Sequence, residues 1–245
     1  MSARATEGRQ AAKQLAGYAD LFYARGWMPG TSGNLSIKVS DDPLTIVVTP
    51  SSVDKGALTA SDILLVTRRG VLRGKPGLRP SAETEIHLAL YESLPTCGAV
   101  FHVHTVHSTL MATHYREAGA VAFEGLEMLK GFETLAPEAT PKIPVLPNID
   151  DLREFGRYVK RQVAQLREVP GFLIAHHGMS CWGATPTEAK KHLELMEFLC
   201  RYGWELDAPR QETGGNRRRT ASHTCRASSA ARSASARSIG SHSPG

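Results

Sequence analysis

The 245-residue sequence has few cysteines, no long apolar run and no P-loop. Its cysteines, Cys97, Cys181, Cys200 and Cys225, include no C-x-x-C pair, which argues against a disulfide framework and a structural zinc knuckle. No segment approaches the roughly 18 consecutive apolar residues that span a bilayer, and the first 15 residues lack the apolar core of a secretory signal. We therefore expect a soluble, cytoplasmic protein without a membrane segment.

Positive charge is concentrated at the C-terminal end. The formal net charge is +5, but residues 209–245 contain seven arginines and one glutamate, or +6, which leaves −1 for residues 1–208. This tail is rich in Ser, Ala, Arg and Gly, and Ile239 is its single large aliphatic residue. Such a composition cannot bury enough apolar surface to offset its ordering entropy. We predict one folded domain over 1–208, with no nucleic-acid partner, and a disordered tail over 209–245. An RNA-binding function would depend on the tail alone.

Helical and strand patterns alternate along the domain. Helices are predicted over 6–25, 81–91, 107–115, 151–167 and from 185 onward, where Thr185-Pro186-Thr187-Glu188 forms a capping box. Strands are predicted over 35–39, 44–49, 63–67, 71–72, 99–104, 171–176 and 179–182. Several of these strands are joined by short turns, as in hairpins. The pattern therefore predicts a layered α/β domain with a mostly antiparallel sheet.

Two histidines alternate with apolar residues in Phe101-His102-Val103-His104. On a strand, residues i and i+2 point to the same face about 6.6–6.8 Å apart, so both imidazoles can approach one metal ion. Phe101 and Val103 would then face the core. The alternative is two histidines on a solvent-exposed face, because H-x-H also occurs by chance.

A third histidine strengthens the metal hypothesis. The segment 174–178, I-A-H-H-G, ends an apolar strand at a glycine, and neighbouring histidines on a strand face opposite sides. At most one of them joins the pair, and we favour His177 because it precedes the glycine of the turn. Three histidines with an open position are typical of a catalytic divalent metal, with zinc as the default. Four other histidines are predicted to lie at the surface or behind the ligands: His87, His107, His114 and His192.

Three short turns rich in hydroxyl groups suggest a phosphate site. They are G-T-S-G-N over 30–34, T-P-S-S over 49–52, and Ser81 at a predicted helix start, where amide groups and the helix dipole favour an anion. Each such turn, taken alone, is more often a plain connection. The residues predicted to bind phosphate are Thr31, Gly33, Asn34, Ser51, Ser52, Lys55 and Ser81.

Two glutamates are candidates for proton transfer. Glu83 lies in the first turn after Ser81, where a carboxylate also complements the helix dipole without any catalytic role. Glu127 lies among apolar residues in 126–131, L-E-M-L-K-G, where desolvation would raise its pKa and suit it to proton shuttling. The alternative for Glu127 is an exposed acid on an amphipathic helix.

Together these segments resemble the class II, metal-dependent aldolase and adducin-head family over about residues 10–206. The resemblance implies a three-layer α/β/α domain with a mostly antiparallel central sheet. It also implies one zinc ion per subunit, held by His102, His104 and His177, and a homotetramer with sites between subunits. The segments that carry it are G-T-S-G-N (30–34), T-P-S-S-V (49–53), P-S-A-E-T-E-I-H (80–87), H-V-H (102–104) and H-H-G (176–178).

The resemblance also assigns the two glutamates. The catalytic glutamate of the aldolases corresponds to Glu83, although Ala82 replaces the usual second serine. The segments G-W-M-P-G-T-S-G-N-L-S and E-M-L-K-G are typical of one branch, whose proposed acid/base corresponds to Glu127. That branch dehydrates a 1-phospho-2-ketopentose with a methylthio group on C5 in methionine salvage. The resemblance thus implies a hydro-lyase with Glu127 as the main acid/base and Glu83 as an alternative or orienting group.

Two other functions fit the same motifs. A sugar-phosphate aldolase or 4-epimerase of the family would use the same metal and phosphate sites at the C3–C4 bond or at C4. The E-M-L-K-G segment and the lack of a tyrosine after Tyr202 favour dehydration. A non-catalytic adducin-like scaffold would be expected to lose the metal ligands, whereas three histidines remain here.

Overall fold

A ten-stranded sheet forms the centre of the computed structural model, which describes residues 3–133, 135, 140–162, 169–207 and 224–226. The helices are α1 (Ala3–Ala24), α2 (Thr84–Ser93), α3 (Val106–His114), α4 (Leu152–Gln162) and α5 (Pro186–Asp207). The strands are β1 (Asn34–Asp41), β2 (Leu44–Val48), β3 (Leu64–Thr67), β4 (Gly70–Arg73), β5 (Ala99–Val103), β6 (Ala120–Glu124), β7 (Lys142–Leu146), β8 (Gly171–Ile174), β9 (Gly178–Gly183) and β10 (Thr224–Arg226). Two short 3₁₀ turns span Lys55–Ala57 and Glu127–Gly131.

The strands are ordered β10-β6-β7-β8-β9-β5-β1-β2-β3-β4 across the sheet. Only the β10–β6 and β7–β8 pairs of the described strands are parallel, and all other neighbours are antiparallel. The expectation of a mostly antiparallel sheet is therefore confirmed. The central strand β5 lies between β9 and β1, so residues near its end can meet side chains from both neighbours.

Helices cover both faces of the sheet, which confirms the three-layer architecture. Phe101 on β5 packs against Tyr18 and Phe22 of α1, in an apolar cluster that also contains residues of α3 and α5. Val100, on the other face of β5, belongs to a second cluster with residues of α2 and α4. Among the described residues, no helix combines the length and the apolar character needed to cross a bilayer.

Hairpins and helix ends follow their local sequence signals in most places. The predicted β1–β2 and β3–β4 hairpins are present, and Thr185 Oγ1 accepts a hydrogen bond from the Glu188 amide at the start of α5. The Glu188 carboxylate accepts from the Ala184 amide instead of closing the capping box on Thr185. Strands β6 and β7 were not predicted, and β7 contains Pro144, a residue that normally argues against a strand interior.

The predicted tail, 209–245, lies outside the described residues except for β10, which pairs with β6. We expect truncation after Asp207 to leave folding and turnover nearly unchanged and to move the isoelectric point toward neutrality. The described core residues all precede that position, and the tail carries the positive excess. Thermal melting, mass determination and turnover of the truncated chain test this. A large fall in Tm, or loss of an oligomer that the full chain forms, would show that the tail packs.

Candidate metal centre and active site

Three imidazoles meet at one end of β5. His102 lies on β5, His104 follows its last residue, and His177 lies in the turn between β8 and β9. The Nε2 atom of His104 is 2.8 Å from Nε2 of His102 and 3.0 Å from Nε2 of His177. The structure thus brings together the three histidines selected from the sequence.

The carboxylate of Glu83 completes this cluster. Its Oε1 atom lies 3.1 Å from Nε2 of His177 and 3.5 Å from Nε2 of His102. One donor atom from each of the four residues lies within 4.8 Å of the others, so together they could hold a metal ion. Glu83 was predicted as an acid/base or orienting group and not as a metal ligand, so its place among the ligand atoms comes from the structure.

The surroundings of His102 orient its ring toward the cluster. Its Nδ1 atom lies 3.0 Å from the Met179 carbonyl and 3.1 Å from Ser180 Oγ, and the residue is 1% exposed. Because a carbonyl can only accept a hydrogen bond, Nδ1 carries the proton. The lone pair of Nε2 therefore faces the possible ligand atoms of the other three residues. Burial, followed by the neighbouring histidines, lowers the pKa of His104 to about 3. Imidazole nitrogens beside a carboxylate are a donor set that fits a divalent cation.

The turn that carries His177 differs from the predicted strand. Because β8 ends at Ile174, the two histidines do not alternate across a strand. His176 has a φ of 59° and lies away from the cluster, with Nδ1 3.2 Å from Thr113 Oγ1. Gly178 lets β9 approach β5 closely, since a Cβ there would lie 2.3 Å from the Val103 carbonyl oxygen. Turn geometry therefore selects His177.

Asn34 holds the second oxygen of Glu83. Asn34 lies directly opposite His102 in the β1–β5 ladder, and its Nδ2 donates to Glu83 Oε2 at 2.6 Å. The preceding Gly33 has a φ of 72°, and a Cβ there would lie 2.9 Å from the His102 carbonyl oxygen. Both features of the G-T-S-G-N turn thus shape the cluster from its β1 side.

Charge balance at Glu83 favours the ionised carboxylate. Burial raises the pKa of Glu83, whereas His102 and His177 lower it. Together the two histidines outweigh burial, so the pKa lies well below its ordinary value. An ionised carboxylate can accept hydrogen bonds on both oxygens: Asn34 donates to Oε2, while Oε1 lies 3.1 Å from His177 Nε2.

The three hydroxyl-rich turns meet beside this cluster. Pro50 and Pro80 form an isolated β-bridge, and the Ser51 amide donates to the Arg79 carbonyl at 2.8 Å. The Thr31 carbonyl accepts from the Lys55 ammonium at 2.8 Å, which links the first turn to the second. Thr31 and Ser52 are exposed, whereas Ser51 and Ser81 are half-buried. The predicted proximity of these turns is present, and phosphate binding there stays a prediction.

The predicted helix start at Ser81 is wrong. Helix α2 begins at Thr84, and the amides of residues 84–86 already donate to the carbonyls of 81–83. A tight turn before the helix therefore uses the amide groups that were expected to bind an anion. The Ser81 hydroxyl instead accepts from the Glu83 amide at 3.3 Å, which shapes the turn that presents Glu83.

Lys55 lies inside the protein. Its side chain is fully buried, and Nζ donates to the carbonyls of Thr31 and Val53. Burial lowers the pKa of Lys55 to about 8, while Asp54 and Glu83 oppose that shift. Lys55 thus ties two of the turns together from inside the protein, and phosphate binding by its ammonium group stays a prediction.

The expected burial of Glu127 is also wrong for the single chain. Its side chain is 80% exposed and pairs with Lys130 at 2.8 Å. The 3₁₀ turn that carries it packs against α5, with Gly131 against Leu195, on the sheet face opposite to that of His102. The apolar neighbours of Glu127 in sequence do not desolvate it, because Leu129 is buried under the turn while Met128 is exposed.

Sequence reasoning assigned His87 no specific partner, yet the structure places it near the candidate site. His87 is fully buried on α2, one helical turn after Glu83, and its Nδ1 is 2.7 Å from Ser36 Oγ on β1. The available signal was spacing, since residues i and i+4 of a helix share a face. The segment 80–87 begins with the turn and ends with this histidine.

Comparisons with known proteins identify the family of this chain. A sequence model described as the Class II Aldolase and Adducin N-terminal domain matches residues 13–204. A protein of Geobacillus kaustophilus named methylthioribulose-1-phosphate dehydratase is 42% identical over 194 residues, 78% of this chain and 89% of the relative. A protein of Persephonella marina with the same name is 39% identical over 180 residues, 74% of this chain and 82% of the relative.

A solved structure supports the fold. An L-fuculose 1-phosphate aldolase superimposes with a TM-score of 0.64 and 21% sequence identity, over 78% of this chain and 84% of that chain. At this identity the likeness shows the fold alone.

Proposed function

The chain belongs to the class II aldolase and adducin N-terminal domain family, and we propose that it dehydrates 5-methylthioribulose 1-phosphate to 2,3-diketo-5-methylthiopentyl 1-phosphate in the methionine salvage of the cytoplasm. The observation that carries this proposal is the half-buried cluster of Glu83, His102, His104 and His177 in a chain about 40% identical to named dehydratases. The reaction is that of a hydro-lyase.

The donor set suits zinc, one ion per subunit, because imidazole nitrogens and a carboxylate oxygen are its usual ligands. His102, His104 and His177 would hold it, with Glu83 as a further donor or as a carboxylate beside it. When bound, the metal supplies a Lewis acid that polarises the C2 carbonyl of the substrate.

Dehydration then requires two proton transfers. A carboxylate removes the proton from C3, and an acid protonates the hydroxyl that leaves C4 as water. The resulting enol takes up a proton at C4 and releases the proton of its C3 hydroxyl, which gives the ketone at C3. We assign Glu127 as the main acid/base and keep Glu83, held by Asn34, as the alternative or orienting group.

In a single chain Glu127 and the cluster lie on opposite sheet faces, so the proposal requires Glu127 to act in the site of a neighbouring subunit. Its exposure supports this, because an exposed carboxylate on a surface turn is available to a second copy. The family resemblance implies a homotetramer with sites between subunits, which would desolvate Glu127 on assembly.

The substrate phosphate is assigned to the converging turns. Thr31, Ser51, Ser52 and Ser81 supply hydroxyl groups with at least partial solvent access. Gly33, Asn34 and Lys55 support those turns from inside. Binding energy from the remote phosphate can hold C3 near the base.

We expect a coupled assay to show turnover of methylthioribulose 1-phosphate and little turnover of fuculose 1-phosphate or ribulose 5-phosphate. Purified, metal-loaded protein is used with each substrate at the same concentration. Cleavage of fuculose phosphate would instead indicate an aldolase, and epimerisation of ribulose phosphate a 4-epimerase. No turnover of any substrate, with metal bound, would favour the adducin-like scaffold.

A further inference from the structure

Two polar contacts join β1 to α2 behind the metal cluster. In the first, Asn34 Nδ2 donates to Glu83 Oε2 at 2.6 Å. In the second, Ser36 Oγ lies 2.7 Å from His87 Nδ1 and 2.8 Å from Tyr91 Oη. Asn34 and Ser36 share one face of β1 because they are two residues apart. Glu83 and His87 are four residues apart and therefore share one face of α2, so the two contacts lie next to each other along the β1–α2 interface.

Three buried polar atoms on the β1 and α2 residues in and next to these contacts have no hydrogen-bond partner among the described residues. They are Asn34 Oδ1, Thr84 Oγ1 and His87 Nε2. Asn34 is 1% exposed, Thr84 is 6% exposed and His87 is fully buried. A buried polar atom without a partner costs free energy, and such groups in proteins are usually paired with ordered water.

The residues that carry these three atoms lie close together on α2 and on the facing part of β1. Thr84 lies one residue after Glu83, His87 lies one turn further along α2, and Asn34 already contacts Glu83. Ser36, the partner of His87 Nδ1, lies two residues from Asn34 on the same face of β1, so His87 lies one helical turn along α2 from the Asn34–Glu83 contact. A water molecule there would have three candidate partners, within the usual range of two to four.

We propose that His87 is a positioning residue, which holds one buried water against Asn34 Oδ1 and thereby keeps the Asn34 amide directed at Glu83. The proposal deepens the assigned dehydratase function and rests on it for its catalytic consequence. A water on Oδ1 matters because the amide can rotate by 180°, which would turn an acceptor oxygen toward the carboxylate. With Oδ1 bound, the NH₂ group stays on Glu83 Oε2.

The ring of His87 suits this role and not proton transfer. Burial, and then the neighbouring His102, lowers the pKa of His87 to about 3, so the ring is neutral at pH 7. One ring nitrogen of a neutral imidazole donates and the other accepts. Because water both donates and accepts, it pairs with Nε2 in either tautomer while Nδ1 stays with Ser36.

The test compares His87→Gln with His87→Asn. A glutamine amide reaches about as far as Nε2 of histidine, whereas an asparagine amide reaches about as far as Nδ1. We expect His87→Asn to keep the Ser36 contact, to weaken cobalt binding in chelator competition by roughly 10-fold, and to change the visible spectrum of bound cobalt. We expect His87→Gln to keep the wild-type cobalt affinity and cobalt spectrum. In both variants kcat should change in parallel with cobalt affinity, while KM changes little.

Tyr91→Phe is the matched control, because it removes a hydroxyl from the far side of Ser36 and leaves the three atoms untouched. It should keep the wild-type cobalt spectrum. Equal behaviour of the Gln and Asn variants, or wild-type cobalt affinity in His87→Asn, would overturn the proposal. Should the variants not fold, a high-resolution crystal structure of the wild type decides: density for a water bonded to His87 Nε2 and Asn34 Oδ1 supports it, and an empty site refutes it.

These readouts separate the inference from the assigned function. Cobalt affinity and spectrum need no substrate, so they report on His87 even if the substrate assay shows another activity. Turnover of methylthioribulose 1-phosphate by the wild type tests the function even if His87 plays no part.

Discussion

Replacement of His102 or His104 by alanine is expected to remove roughly one equivalent of metal per chain and nearly all turnover. Nε2 of His104 lies 2.8 Å from that of His102 and 3.0 Å from that of His177, so each imidazole occupies part of one donor set. Two imidazoles and a carboxylate would remain as ligands, and these three should bind the metal ion much more weakly than the full set of four. Atomic emission on the purified variants, together with turnover, measures the effect.

His114→Ala is a suitable control for this prediction. His114 ends α3, close to His104 in sequence but outside the donor cluster, and its ring packs against Tyr115 and Trp204. It should keep its metal. Unchanged metal content in the His102 or His104 variant would exclude that residue as a ligand, whatever happens to turnover.

The metal cluster could be predicted from sequence because its main signal is local. A strand brings i and i+2 to one face, so His102 and His104 are neighbours as soon as β5 forms. The apolar alternation of Phe101 and Val103 identified that strand and its buried face correctly. The family assignment drawn from the same motifs is confirmed by the match over residues 13–204.

Contacts that depend on register between distant elements could not be predicted. Asn34 meets Glu83 because β1 pairs with β5 and α2 packs across both, a relation that no local pattern expresses. The amides that follow Ser81 donate to carbonyls within a tight turn. The residue spacing alone did not distinguish this turn from the first turn of a helix. The carbonyl partners of Lys55 lie in two separate segments, at Thr31 and Val53, a relation that its position after T-P-S-S did not express.

The error at Glu127 has a different physical origin. Neighbours in sequence raise a pKa only if they also surround the carboxylate in space, and a 3₁₀ turn directs consecutive side chains in different directions. Leu129 faces the core, whereas Glu127 faces solvent beside Lys130. Any desolvation of Glu127 must therefore come from outside the single chain.

Substitution of Glu127 by glutamine is expected to lower kcat by about 10²–10⁴-fold while KM changes little. Glutamine keeps the size and hydrogen bonding of glutamate but cannot carry the proton. Metal content should stay at the wild-type level, because Glu127 lies outside the donor cluster. Glu83→Gln is the contrasting variant: it replaces a carboxylate inside the cluster and should weaken metal binding as well as turnover.

Exchange of the C3 proton with solvent deuterium separates the two glutamates. If Glu127 is the base, Glu127→Gln should lose this exchange in the metal-loaded enzyme. Exchange at the wild-type rate would instead exclude Glu127 as the base and transfer that role to Glu83, whose Oε1 lies 3.1 Å from His177 Nε2. Unchanged kcat would leave Glu127 as a surface acid paired with Lys130.

Mixing inactive variants then tests where Glu127 acts. Glu127→Gln protein has intact histidines, and His102→Ala protein has an intact Glu127, so neither should turn over substrate alone. If Glu127 serves the site of a neighbouring subunit, dissociation and reassembly of the mixture should form sites with both features and recover a fraction of wild-type turnover. If it serves its own chain, every site contains one defect and no activity returns. The exposed position of Glu127, on the sheet face opposite to the histidines, makes recovery the expected result.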